Sequence, residues 1–138
     1  MTAKEFFQSV READHRLASL RQQRQQIEQQ AFSMGGMSET NIRSPGNRSR
    51  VESAALRLVE LDEAMGEAAE HYADLMEQAQ EILSQVENTR HYEVLSYRYV
   101  CGMSWKQVAE KMGYTGLKSV FQVHGWALME AQKIMDRL

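Results

Sequence analysis

The chain has 138 residues, 43% of them apolar and 25% charged, with a net charge of −3, enough for one domain or for one small module on a long appendage. No apolar run approaches the roughly 18 residues that a membrane span needs, and the opening MTAKEFFQSV lacks the basic-then-apolar pattern of a secretory signal. A single cysteine, Cys101, excludes an intramolecular disulfide framework and fits a reducing compartment, so the expected location is cytoplasmic with no membrane contact.

One proline and eight glycines leave long stretches without breakers, which favours helices. The first element opens on Thr2-Ala-Lys-Glu5, a capping-box spacing. Apolar residues follow at heptad spacing: Ala3, Phe6, Val10, Ala13, Leu17, Leu20, Ile27 and Ala31, with Arg24 as the one break. The pattern predicts a helix of about 30 residues with a single seam. Across 33–50, SMGGMSETNIRSPGNRSR, periodicity disappears, and Gly35-Gly36 and Pro45-Gly46 predict a mobile, solvated loop.

A second long helix is expected from about Ser49, where Ser49-x-x-Glu52 repeats the capping-box spacing. Its seam runs Val51, Ala54, Leu58, Leu61, Met65, Ala68, Tyr72, Leu75, Ala79, Ile82, Val86 without a charged residue. A long helix with one apolar stripe is not stable alone. The two helices are therefore expected to pair as an antiparallel, coiled-coil-like hairpin over residues 1–88. Phe7, Ala55, Val59, Ala64 and Ala69 fall on its uncovered flanks, which predicts a homo-oligomer, most simply a dimer.

Near Asn88-Thr89 the seam ends, and residues 89–138 read as three shorter helices. The first spans His91 to Val100 and closes around Gly102. Ser104-Trp-Lys-Gln107 caps a second, which carries Val108, Ala109 and Met112 inward and stops at Gly113. After a Tyr114-Thr115-Gly116 turn, a last helix from about Leu117 to Arg137 has Val120, Val123, Ala127, Leu128, Ala131 and Ile134 at helical spacing. A short capped helix, a tight glycine turn and a longer helix are the plan of a helix-turn-helix, which binds double-stranded DNA. The expected fold is thus all-α: a long N-terminal helical hairpin, then a three-helix helix-turn-helix module.

Charge is distributed accordingly. Residues 1–50 carry a net +3, residues 51–88 a net −9 and residues 89–138 a net +3. Carboxylates repel phosphate, so DNA is expected to meet the C-terminal module and to avoid the acidic helix.

Tyr92-Glu-Val-Leu-x-x-Arg98-Tyr99, Gly102-x-Ser104-x-x-x-Val108-Ala109-x-x-Met112-Gly113 and Val120-x-x-Val123-x-x-x-Ala127-Leu128 resemble the fourth, promoter-reading region of bacterial sigma factors. Ser104-Trp105 and Val123-His124-Gly125-x-Ala127-Leu128, after a helical hairpin, are similar to a narrower group: small phage and prophage proteins related to the ArpU-like and RinA-like late-transcription regulators. The resemblance implies DNA binding and transcriptional control. Where sigma modules present several arginines, this chain has Leu117, Lys118, Ser119, Phe121 and Gln122. Lys118 and Ser119 are suited to phosphate or guanine, Gln122 to adenine, and Phe121 to a thymine methyl or to packing against Trp126 or a partner. Lys106 and Lys111, with Arg98, are expected on the phosphate backbone, and dimerisation is expected to compensate for the few cations.

Other residues invite readings that their context disfavours. His15, His71, His91 and His124 lie far apart without partners at metal-ligand spacing. Cys101 is expected as a small packing residue, Trp105 as a wedge on the module's core, and His124-Gly125 as a site of close helix packing. Glu60, Asp62, Glu63, Glu67, Glu70 and Asp74 read as the solvated face of a long helix, or as a surface for a basic partner such as RNA polymerase. No residue set points to an enzyme, a cofactor or a metal. The expectation is a phage-type transcriptional regulator; the alternatives are a DNA-packaging subunit resembling the small terminase subunit, and an adaptor that docks on RNA polymerase without binding DNA.

Overall fold

The computed structural model describes residues 1–35 and 45–138. Among them all secondary structure is helical: α1 (Ala3–Gly35), α2 (Pro45–Ser84), α3 (Thr89–Leu95), a π-helical turn (Ser96–Val100), α4 (Trp105–Met112) and α5 (Leu117–Arg137). The expected capping box opens α1, with the Glu5 amide donating to Thr2 Oγ1 (3.1 Å) and the Thr2 amide to Glu5 Oε2 (3.0 Å). Helix α2 begins at Pro45 and not at Ser49, because a helix's first position has no partner for its amide and proline has no amide to lose. Ser49 lies inside the helix, so its spacing to Glu52 does not mark a cap. Of the loop expected over 33–50, residues 33–35 and 45–50 are helical and 36–44 lie outside the described residues.

The chain forms two compact units: Met1–Asp14 with Tyr72–Leu138, and His15–His71. The 88/89 boundary expected from the change of pattern therefore falls inside the first unit. There α1 contributes Phe6, Phe7 and Val10 to the core, and α2 contributes Ala79, Ile82 and Leu83. Val94, Leu95 and Tyr99 come from α3 and the π turn, Val108, Ala109 and Met112 from α4. Val120, Val123, Ala127, Ala131 and Ile134 form the inner stripe of α5. Phe7, placed on an exposed flank by the heptad reading, is fully buried at 0% exposure. Its ring packs on Tyr99 with centroids 5.1 Å apart, and burial of this kind contributes roughly 1.5–3 kcal/mol.

In the second unit α1 and α2 run in opposite directions. Among its described residues only Leu17, Leu61 and Ala68 are buried, and Val51, Leu56 and Val59 are exposed. Of the other expected flank residues, Ala55 is exposed, whereas Ala64 and Ala69 are half-buried. Arg24, the break in the first seam, donates to Asp62 across the pair (2.5 Å) and to Glu28 on its own helix. No helix among the described residues is long and apolar enough to cross a membrane.

Candidate functional site

The region singled out by sequence is built around α4, a two-residue-capped helix of eight residues. Its capping box is complete: the Gln107 amide donates to Ser104 Oγ (3.2 Å) and the Ser104 amide to Gln107 Oε1 (2.9 Å). The helix ends at Gly113, whose φ of 81° is open to glycine and unfavourable to other residues. Tyr114 then donates its amide to the Ala109 carbonyl (2.9 Å). Arg90 secures the same end: it donates to the Met112 carbonyl (3.0 Å) and lies over the Tyr114 ring at 5.2 Å. With α4 stopped in this way, Tyr114-Thr115-Gly116 turns the chain into α5 at Leu117.

Val120 and Val123 face inward, which leaves Lys118, Ser119 and Gln122 exposed on the first turns of α5. Lys118 and Gln122, four residues apart, share one strip, and Ser119 lies beside it. Phe121 is 47% exposed and leans the other way. Its partner is Trp105, edge-on at 5.2 Å between centroids, not Trp126, which stands exposed. Lys106 and Lys111 are both exposed on α4, but a five-residue offset turns them about 140° apart around the helix. Lys111 borders a hollow with Met103, Gln107 and Glu110, so the two lysines do not converge.

Arg98, expected on a phosphate, is turned inward. Its guanidinium lies 4.2 Å from the Trp105 ring centroid and donates to the Met103 carbonyl (3.0 Å). Its Nε is buried without a partner, and burial, then the nearby Arg11 charge, pulls its pKa below the ordinary arginine value. The extra residue of the π turn brings Arg98 and the following Tyr99 into this cluster. Trp105 does act as a wedge, held also by His124 at 4.6 Å. Tyr99 and His124 Nε2 share a hydrogen bond of 2.8 Å. Burial, reinforced by Arg98 and Lys4, pushes His124 down to a pKa of about 4. Burial likewise raises the Tyr99 hydroxyl, against the opposing effect of Arg98 and Arg11.

Two minor expectations are corrected. Cys101, expected to pack, is exposed at the end of the π turn, next to Gly102, whose φ is 71°. Gly125 is not a close-packing residue, since a Cβ there would meet nothing within 4 Å. Four residues of this region, His91, Glu130, Lys4 and Arg11, escaped the sequence reading. His91 pairs with Glu130 (2.7 Å) across 39 residues of chain. Burial alone would raise the Glu130 carboxyl, but the Glu87 amide and His91 hold it below the usual carboxylate range. Lys4 and Arg11 on α1 reach the Arg98–His124 region. The i, i+3, i+7 spacing of Lys4, Phe7 and Arg11 was the available signal.

The chain matches no family model, and comparison with curated proteins and with solved structures finds no similar one.

Proposed function

We propose that this chain is a DNA-binding transcriptional regulator of phage type, in which α4 and α5 form the helix-turn-helix and α5 enters the major groove. The observation that carries the reading is the coincidence of a capped α4, a left-handed stop at Gly113 and an α5 whose inner stripe is buried while Lys118, Ser119 and Gln122 stand free. Side chains with these polar groups on the first turns of a second helix suit base-edge contact. The partner is double-stranded DNA, no catalysis or cofactor is involved, and the site of action is cytoplasmic. The resemblance to sigma region four and to the ArpU-like and RinA-like regulators supports the same assignment. Residues 1–88 act as a helical hairpin that dimerises: the second unit's sparse core and exposed Val51, Leu56 and Val59 favour cover by a second copy.

One observation favours a second reading. The α5 surface beyond Gln122 displays Trp126 and Met129, 51% and 62% exposed, and no arginine precedes Arg137 on the helix. An adaptor docking on RNA polymerase would use such a face. A small-terminase-like packaging subunit is separated from both readings by stoichiometry, a ring of eight or more chains against a dimer.

Fluorescence anisotropy with duplexes from the flanking genome, across a salt series, tests the assignment. Saturable binding to one fragment, lost in Lys118→Ala/Gln122→Ala, is the expected result. Sequence-indifferent or absent binding in the wild type rejects it.

A further inference from the structure

We infer that Lys4 and Arg11, backed by the inward-turned Arg98, form a phosphodiester-binding patch that extends the duplex contact of α5 onto the first turns of α1, an inference that rests on the DNA-binding reading above. The expectation from charge distribution confined DNA to residues 89–138. The first compact unit, however, includes Met1–Asp14, and that segment is held against the π turn and α5 by specific contacts.

Lys4, Phe7 and Arg11 occupy one face of α1. Phe7, between the two cations, is fully buried on Tyr99. One residue before Lys4, the Ala3 amide donates to Gln132 Oε1 on α5 (2.6 Å). These two anchors fix where the face points. Arg11 donates to the Arg98 carbonyl (3.4 Å), and the Arg98 guanidinium stacks on Trp105. The same indole meets Phe121 on α5, so the cations and the first turns of α5 are joined through one side chain. Burial lowers the basicity of His124 most, and the charges of Arg98 and Lys4 lower it further, which places both cations near this ring.

Among the described residues no carboxylate comes within ion-pairing distance of Lys4, Arg11 or Arg98, although Arg24 and Arg90 both have acidic partners. Glu5 is turned back to the Thr2 amide. Asp14, one turn beyond Arg11, lies beside Gly102. Like charges brought together on a rigid scaffold repel unless an anion joins them. A duplex already seated on α5 supplies such an anion in its backbone, and it would otherwise meet few cations on that helix.

The test is anisotropy with the 138-residue chain and two duplexes, the genomic fragment bound best and an arbitrary one of about 20 base pairs. Lys4→Gln, Lys4→Glu and Arg11→Gln are compared with wild type. Lys4 is exposed, so its variants should melt as wild type does and carry the test even if Arg11→Gln is less stable. Lys4→Gln is expected to weaken both duplexes about equally, by several-fold, and to reduce the log–log salt slope by about 1. Lys4→Glu weakens both further. Unchanged affinity and slope in the Lys4 variants, with sequence preference still lost in Lys118→Ala/Gln122→Ala, overturns the patch and leaves the regulator reading intact. Sequence-indifferent binding that the Lys4 variants weaken supports the patch and overturns that reading. Absence of binding to either duplex at low salt overturns both.

Discussion

His124 joins two aromatic side chains of the candidate site, with Tyr99 on its Nε2 and Trp105 against its ring. Its folded pKa of about 4 lies below the ordinary 6.5, so the unfolded chain takes up the proton first on acidification. The neutral imidazole's contribution is therefore complete above about pH 6.5 and is lost as the pH falls towards 4. The urea midpoint of wild type should drop over that window, and the drop should be shallower in His124→Phe. An unchanged pH profile in the variant would mean that burial of this imidazole does not govern acid sensitivity. Glu130, held low by its own partners, adds its loss only at the acid end of the window.

The residue scale is also where sequence reading was weakest. Phe6 and Phe7 are adjacent, and a heptad seam can accept only one of them; the seam took Phe6. Both are buried, because α1 in the first unit is covered on two sides, by α2 and by the π turn with α5, and a two-sided contact has no single stripe to detect. Likewise the His91–Glu130 pair and the Arg11–Arg98 contact join residues 39 and 87 positions apart, a separation that no local pattern encodes.

At the scale of elements the reading was much better, and for a local reason. Caps, stop residues and inner stripes are determined by neighbours three or four positions away. Ser104, Gly113 and the Leu117–Arg137 bounds of α5 all stand where the spacing put them. The start of α2 is hidden in the sequence because polar residues and glycine surround Pro45, whose fixed φ and missing amide suit a first turn. Gly113→Ala tests the stop directly. A Cβ there meets nothing within 4 Å, so the cost is conformational alone, roughly 1–2 kcal/mol. Chemical denaturation should show that loss, with Gly113→Asn intermediate. A neutral Gly113→Ala would show that the turn relaxes away from positive φ.

At the scale of the molecule, the core does not respect the change of pattern at residue 88. Phe6, Phe7, Val10, Ala79, Ile82 and Leu83 share one cluster with the inner stripe of α5. A fragment cut at 89–138 would lack those partners and expose the stripe to water, and it should lose the cooperative thermal transition expected by circular dichroism of the intact chain. A fragment that melts cooperatively, with unchanged midpoint, would restore the boundary that the sequence suggests. The contrast with the second unit follows from the same inventory. Among the described residues of that unit only Leu17, Leu61 and Ala68 are buried, too few to hold two helices unaided, hence the proposed second copy.

The chain holds two tryptophans, and the fold places them in unlike surroundings. Trp105 is half-buried between a guanidinium and an imidazole, and Trp126 is in water on the outer side of α5. The molecule thus carries two intrinsic optical probes without labelling. Quenching by acrylamide would report first on Trp126 and whatever covers α5. Emission that survives the quencher would report on Trp105, and so on whether α4 and α5 are still locked together.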